Sequence, residues 1–416
     1  MSTGRILHNL EGDKAIWAVV ALLALFSFLP VYSASSNLVY VVGNGTTMGH
    51  LLKHGLLLFL GFGIIYGVHK IPTHYFKGLS IIALPVVILL LVYTLAQGTT
   101  IEGANASRWI RLPLVGITFQ TSNLAAVVLM VYTARYLTKI KDRKIRFSES
   151  IVPLWIPVAL VLLLILPANF STAAILFAMI LTLCFLGGYP LKYLAGIVLA
   201  GIATLALFVL LAKAMPGVFP NRVDTWINRV EHFWDGTDGE GDYQIEKAKI
   251  AIASGGLVGN GAGKSVMKHF LPQSSSDFIY AIIIEEYGLV VGFLLMFLYL
   301  LLLFRIVVVA NANASVFGKL LVMGVGLPII FQALINMAVA VELFPVTGQT
   351  LPLISSGGTS IWMTCLAIGV AAVVSVAGFS QALENGIRRE ARQLLQIRRQ
   401  GLAGHREAAA VEQTPL

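Results

Sequence analysis

Apolar residues run along this chain in long blocks, without the period of an amphipathic surface helix or the alternation of a half-buried strand. A bilayer core takes about 20 apolar residues per crossing helix, and about ten blocks approach that length. They lie near residues 16–32, 51–68, 79–96, 118–137, 151–166, 171–187, 191–212, 278–304, 320–341 and 360–379. The pattern predicts an all-α polytopic membrane protein with about ten transmembrane helices. Its one long interruption predicts a large extracytoplasmic loop between helices 7 and 8, over residues 215–276. Residues 1–381 form the transmembrane domain, and 382–416 form a basic cytoplasmic tail.

Composition agrees with that class. With 57% hydrophobic and 12% charged residues, the chain has too few charges to cover a water-facing surface. Basic residues crowd alternate connections: Arg135, Lys139, Lys141, Arg143, Lys144 and Arg146 in one, and Arg388, Arg389, Arg392, Arg398, Arg399 and Arg406 in the tail. By the positive-inside rule both termini are then cytoplasmic. The connections at 102–116 and 217–270 fall outside; the long one is exempt from the rule, and the short one holds only Arg108 and Arg111. The polar start 1–14 leads directly into a full-length span, so no cleavable signal peptide is expected. The net charge of +9 reads as a topology signal and an attraction to anionic lipid, with no nucleic acid as partner. Cys184 and Cys365 fall inside spans and imply neither a disulfide framework nor a metal site.

Candidate chemistry concentrates in the long loop and the segments beside it. Residues 221–234 read as an amphipathic interfacial helix, with Arg222, Trp226 and Arg229 sharing one edge. That edge suits either a lipid diphosphate or plain interfacial anchoring by snorkelling arginines. The run Gly255-Gly256-Leu257-Val258-Gly259-Asn260-Gly261-Ala262-Gly263-Lys264-Ser265 superficially matches a phosphate-binding P-loop, but Val258 stands where the first glycine is required. No nucleotide is expected. The glycines fit a tightly turning, closely packed loop whose amides could still line an anion site.

Asp277 stands at the threshold of the eighth span, where an acidic residue is either a helix N-cap or a group for chemistry. Glu285 and Glu286 lie about 12–14 Å deeper by helical rise. Carboxylates at that depth suggest function. At about 100° per residue Glu285 is near the Asp277 face and is expected to line the same cavity, whereas Glu286 faces a neighbouring helix. Across 344–360, Pro345, Gly348, Pro352, Gly357 and Gly358 prevent a continuous helix, while Thr347, Ser355, Ser356, Thr359 and Ser360 supply hydroxyls. Such a segment lines a cavity or caps the bundle.

Several of these segments, taken in order, resemble a known family. Gly103-Ala104-Asn105-Ala106-Ser107-Arg108-Trp109-Ile110, Tyr243-Gln244, the Gly255–Gly263 run, Asp277-Phe278-Ile279-Tyr280-Ala281, Glu285-Glu286-Tyr287-Gly288, and Pro345-Val346-Thr347-Gly348 through Ser360 look like the shape, elongation, division and sporulation (SEDS) family. The resemblance covers roughly residues 10–380 and implies a peptidoglycan glycosyltransferase that polymerises lipid II on the outer face of the bacterial inner membrane. It places the family's catalytic aspartate on Asp277, the general base for the acceptor 4-hydroxyl. The departing diphosphate needs positive charge, for which Arg108, Arg111, Lys264, Lys268 or a divalent cation such as Mg or Mn are candidates.

Within the family, the Val346-Thr347-Gly348 turn and the basic tail favour the division branch over the elongation branch. The division branch implies location at the septum, a cognate class B penicillin-binding transpeptidase as partner, and contacts with other divisome proteins. Three departures stand out. Asn123 and Ala126 replace an intramembrane ion pair, Asn169 replaces an aspartate, and Ser356 stands where tyrosine is common. Lipid II transport without bond formation and a division scaffold remain competing functions, separable by whether Asp277→Asn removes the activity.

Overall fold

The computed structural model describes residues 12–40, 45–97, 109–111, 118–214, 240–271 and 273–378. Arg108, the expected interfacial helix with Arg222, Trp226 and Arg229, and the tail lie outside the described residues.

Each of the ten expected spans is a helix. They are α1 (Lys14–Tyr40), α2 (Thr47–Val68), α3 (Tyr75–Gln97), α4 (Thr121–Ile140), α5 (Phe147–Ile165), α6 (Phe170–Leu186) and α7 (Leu191–Ala214), followed after the loop by α9 (Ile279–Ala312), α10 (Val316–Ala340) and α11 (Thr359–Gly378). One further helix, α8 (Glu240–Gly255), belongs to the loop. Two short antiparallel strands, β1 (Trp109–Arg111) and β2 (Thr118–Gln120), precede α4, with Arg111 opposite Thr118.

Side chains define several helix starts. Asp13, Thr46, Asn169 and Ser315 accept hydrogen bonds from first-turn amides of α1, α2, α6 and α10. Asn169 does so from the Thr172 N–H at 3.2 Å, a role that needs only a side-chain oxygen, so replacing aspartate there keeps the cap.

The bundle is layered around α10 and α11, whose most apolar stretches are 67% and 72% buried. α10 packs against α4, α6 and α9, and α9 also packs against α1 and α8. At the other extreme only 6% of the α7 stretch is buried, so nearly all of that helix faces outward. α9 continues past the expected boundary at Phe304 because the charge that follows is neutralised. Arg305 pairs with Asp13, and the Asp13 amide donates to Ser375 Oγ at 2.8 Å, tying the start of α1 to α9 and α11.

Candidate active site

The glycine-rich loop enters α9. At Gly288 the helix breaks, with φ 81° and ψ 171°, a conformation open almost only to glycine. A continuous helix would bond the amides of Leu289 and Val290 to the carbonyls of Glu285 and Glu286. Instead Leu289 N–H donates to Gly256 O at 2.9 Å and Val290 N–H to Leu257 O at 3.3 Å. The freed carbonyls accept from Asn260 N–H at 3.0 Å and Gly261 N–H at 2.9 Å. Loop and helix thus exchange two intrahelical bonds for four between them. The approach is backbone against backbone: a Cβ on Gly255, Gly259 or Gly288 would overlap Ile284 O, Glu286 O or Leu257 O. The glycine run is therefore a wedge built for close contact, and two of its amides are spent inside the fold.

Beyond the wedge, residues 263–268 wrap a pair of buried carboxylates. Glu285 and Glu286 are each 1% exposed. Glu285 accepts from Ser265 Oγ, from Val266 N–H at 2.9 Å and from Met267 N–H at 3.3 Å. Glu286 accepts from Ser33 Oγ of α1 and from Ser265 N–H at 3.3 Å. Lys268 is 6% exposed and supplies the local positive charge, its Nζ donating to Gly263 O at 2.8 Å and to Ser33 Oγ at 3.1 Å. Amide and hydroxyl donors take the place of water at both oxygens of Glu285 and at Oε1 of Glu286, while Glu286 Oε2 is buried without a hydrogen-bond partner among the described residues.

Asp277 lies nearer the end of the bundle, in the turn that precedes α9. Its amide donates to Gln273 O at 3.2 Å, and Gln273 itself takes a φ of 56°. The N-cap position of α9 is Phe278, with no side-chain cap, so Asp277 does not occupy the cap. Asn336 of α10 fixes the turn, its Nδ2 donating at 2.7 Å both to Asp277 O and to Gln349 O. Because both partners are acceptors, the amide can point only one way. Gln349 Nε2 donates in turn to Thr172 Oγ1 at 2.9 Å.

The 345–358 segment closes over the same turn. Ser355 Oγ donates to Ser276 O at 2.6 Å, and Ser356 N–H to Ser275 O at 2.9 Å. Gly348, at φ 67°, leaves Asp277 Oδ2 only 3.5 Å from where a Cβ would stand. Thr359, the first residue of α11, accepts from Gln120 N–H and donates to Thr118 O, both at 3.2 Å, which hangs β2 on the site. Tyr299 of α9 donates to Pro352 O at 2.5 Å from below.

A half-buried carboxylate, Asp277, thus stands in a rim of hydroxyls and carbonyls that neighbouring spans hold rigidly. The model of the FtsW/RodA/SpoVE cell cycle proteins matches residues 13–378. The chain belongs to that family. Two relatives, each called a probable peptidoglycan glycosyltransferase FtsW, show the match over most of the chain. The one from Nitrosomonas europaea is 31% identical over 367 residues, covering 86% of this chain and 92% of its own length. The one from Hydrogenovibrio crunogenus is 34% identical over 370 residues, covering 86% and 90%. Solved structures share the fold at 24% identity. A chain from a peptidoglycan synthase complex that coordinates polymerization and crosslinking gives a TM-score of 0.69 over 88% of this chain and 98% of its own. The Thermus thermophilus rod shape determining protein RodA gives 0.61 over 88% and 96%.

On this FtsW/RodA/SpoVE framework the candidate residues fall into two groups. Thr347, Ser355, Ser356, Thr359 and Ser360 gather in the segment around Asp277, with Ser360 Oγ 3.4 Å from Thr350 Oγ1. Glu285 and Lys268 belong to the deeper carboxylate cluster, where protein groups already occupy them, while Lys264 stays exposed. The backbone of Arg111 is fixed in β1. Sequence reasoning missed Asn336 and Gln349, which hold Asp277 in place, and Ser33 and Ser265, which serve the carboxylates. Asn336 had a signal: it is a lone amide in the apolar run of α10, where a polar side chain must find partners.

Proposed function

We propose that this protein polymerises lipid II into glycan strands at the outer face of the bacterial inner membrane during cell division, with Asp277 as the general base. The observation that carries the reading is the half-buried Asp277 carboxylate beside Gly348, held through its own carbonyl by Asn336. A sugar hydroxyl is a poor nucleophile, so a carboxylate that accepts its proton as the anomeric C–O bond forms lowers the barrier. The anomeric bond to the undecaprenyl diphosphate breaks in the same displacement, leaving charge that cations must meet. Exposed Lys264, with Arg108 and Arg111 before and within β1, is suited to that task, while Lys268 serves the carboxylate pair.

Among the described residues no three acidic, His or Cys side chains gather around a common point. A magnesium or manganese ion beside Asp277 would take most of its ligands from the diphosphate and water, and would neutralise leaving-group charge. The basic connections favour both termini in the cytoplasm with Asp277 outside, and a septal location and a class B penicillin-binding transpeptidase partner belong to the same proposal, the fold shared with a chain of a peptidoglycan synthase complex supporting a partner of that kind. The elongation role of the RodA relatives is the second reading.

The test is gel analysis of glycan chains made from labelled lipid II by the full-length protein with its transpeptidase partner. Polymer from wild type and none from a folded, partner-bound Asp277→Asn protein is the expected result. Normal chain lengths from that variant would remove Asp277 from its role, and no polymer from either would favour transport or scaffolding.

A further inference from the structure

The wedge that enters α9 ends in exposed apolar side chains at a level where water is scarce. Leu257 is 69% exposed and Val258 83%, yet both sit at the break in a membrane-crossing helix, Leu257 O accepting from the Val290 amide. Two rulers fix that level. With the Arg305–Asp13 ion pair taken as one membrane face, Val290 lies fifteen residues along α9, or about 22 Å by helical rise, within a hydrocarbon core of about 30 Å. From the other face, the Lys249–Glu342 ion pair sits at the mouth of the bundle, and α8 then descends six residues to Gly255, about 9 Å. Both put the tip several ångströms inside the apolar layer.

Three further observations agree. No charged residue occurs from 250 to 263, a run in a loop otherwise rich in charge. The tip's backbone is bonded to α9 through Gly256 O, Leu257 O, Asn260 N–H and Gly261 N–H, as irregular backbone away from water requires. The exposed face continues along α9 through Val290 at 63% and Phe293 at 59%, the band that span turns toward lipid.

We propose that residues 255–261 form a re-entrant tip whose Leu257 and Val258 side chains sit among the acyl chains of the outer leaflet. The loop that carries Lys264 is then anchored in the bilayer by its own tip, and the break in α9 is where that anchor is gripped. The inference rests on the ten-span fold and is independent of any catalytic assignment.

Spin-label accessibility tests it. Both native cysteines are buried, so Val258→Cys offers the full-length protein a single reactive thiol for a nitroxide in phosphatidylcholine–phosphatidylglycerol vesicles. Collisions with oxygen should exceed those with a water-soluble nickel chelate severalfold, as they should for a label at Phe293→Cys on α9. A chelate-dominated signal would place the tip in water and overturn the proposal. Low collision rates with both reagents would also overturn it, showing that protein, a second copy included, covers the tip. Leu257→Cys gives the same reading should Val258→Cys fail to assemble.

Discussion

Replacing Gly288 with alanine attacks the junction between loop and helix directly, and the structure allows the cost to be worked through. If the wedge stays in place, alanine must hold φ 81° and ψ 171°, which costs about 1–3 kcal/mol for a non-glycine residue, and its Cβ overlaps Leu257 O. If the wedge is expelled, α9 straightens and regains two intrahelical bonds while losing four to the loop. The net loss of two, at about 0.5–1.5 kcal/mol each, is again about 1–3 kcal/mol. Expulsion also strips Glu285 and Glu286 of their donors from residues 265–267, so the true cost lies at the upper end. Hydrogen exchange in nanodiscs reads the difference. The amides of Asn260 and Gly261 should lose protection together in Gly288→Ala, by about one to two orders of magnitude, since each 1.4 kcal/mol is tenfold, while Leu289 and Val290, rebonded within the straightened helix, keep theirs. Wild-type protection at Asn260 and Gly261 in that variant would refute the interlocked arrangement.

Other expectations follow from the same contacts. Asn336→Ala leaves Asp277 O and Gln349 O without their donor, at about 1–3 kcal/mol for each unsatisfied acceptor; polymerisation should drop at least tenfold in kcat while partner binding persists in a pull-down. Glu285→Gln turns one of three donors toward an amide nitrogen and should lower the melting temperature and the rate, though less than Asp277→Asn lowers the rate; a rate equal to that of Asp277→Asn would contradict this ordering. Lys268→Met leaves the Gly263 carbonyl without its donor and removes the cation bonded to Ser33 Oγ, and should destabilise the fold by about 1–3 kcal/mol, read as loss of detergent-resistant monomer on heating. Gly259→Ala should mimic Gly288→Ala, whereas Gly63→Ala, where a Cβ meets nothing within 4 Å, should leave both melting temperature and exchange unchanged.

All ten helices could be read from the chain, eight of them among the described residues long and apolar enough to cross a bilayer, because a run of apolar residues of that length has few other uses. Boundaries slipped where a local charge was paired out of view, as at Arg305, whose partner Asp13 is remote in sequence. The break in α9 was illegible for a related reason. Gly288 sits in a strongly apolar span, its groove is filled by glycines some thirty positions earlier, and helical periodicity carries no information about insertion from outside. Periodicity separated Glu285 from Glu286 by face, yet both faces met the same covering segment, residues 263–268, because that segment curls around the helix. Asp277 and the serine-rich turn were legible as chemistry-bearing segments, whereas their contact runs through Asn336, whose partners only the packed bundle supplies.

The Asp13–Arg305–Ser375 junction also constrains how the molecule is made. Asp13 leaves the ribosome first, yet its guanidinium partner follows 292 positions later and the serine that receives its amide 362 positions later. The opening span must therefore wait, its terminal carboxylate held only by its own first-turn amides, until the ninth and eleventh helices have been threaded into the bilayer. Closure of that junction is a late event in biogenesis, and a chain truncated before Ser375 keeps the Asp13–Arg305 pair but loses the tie from the first helix to the eleventh.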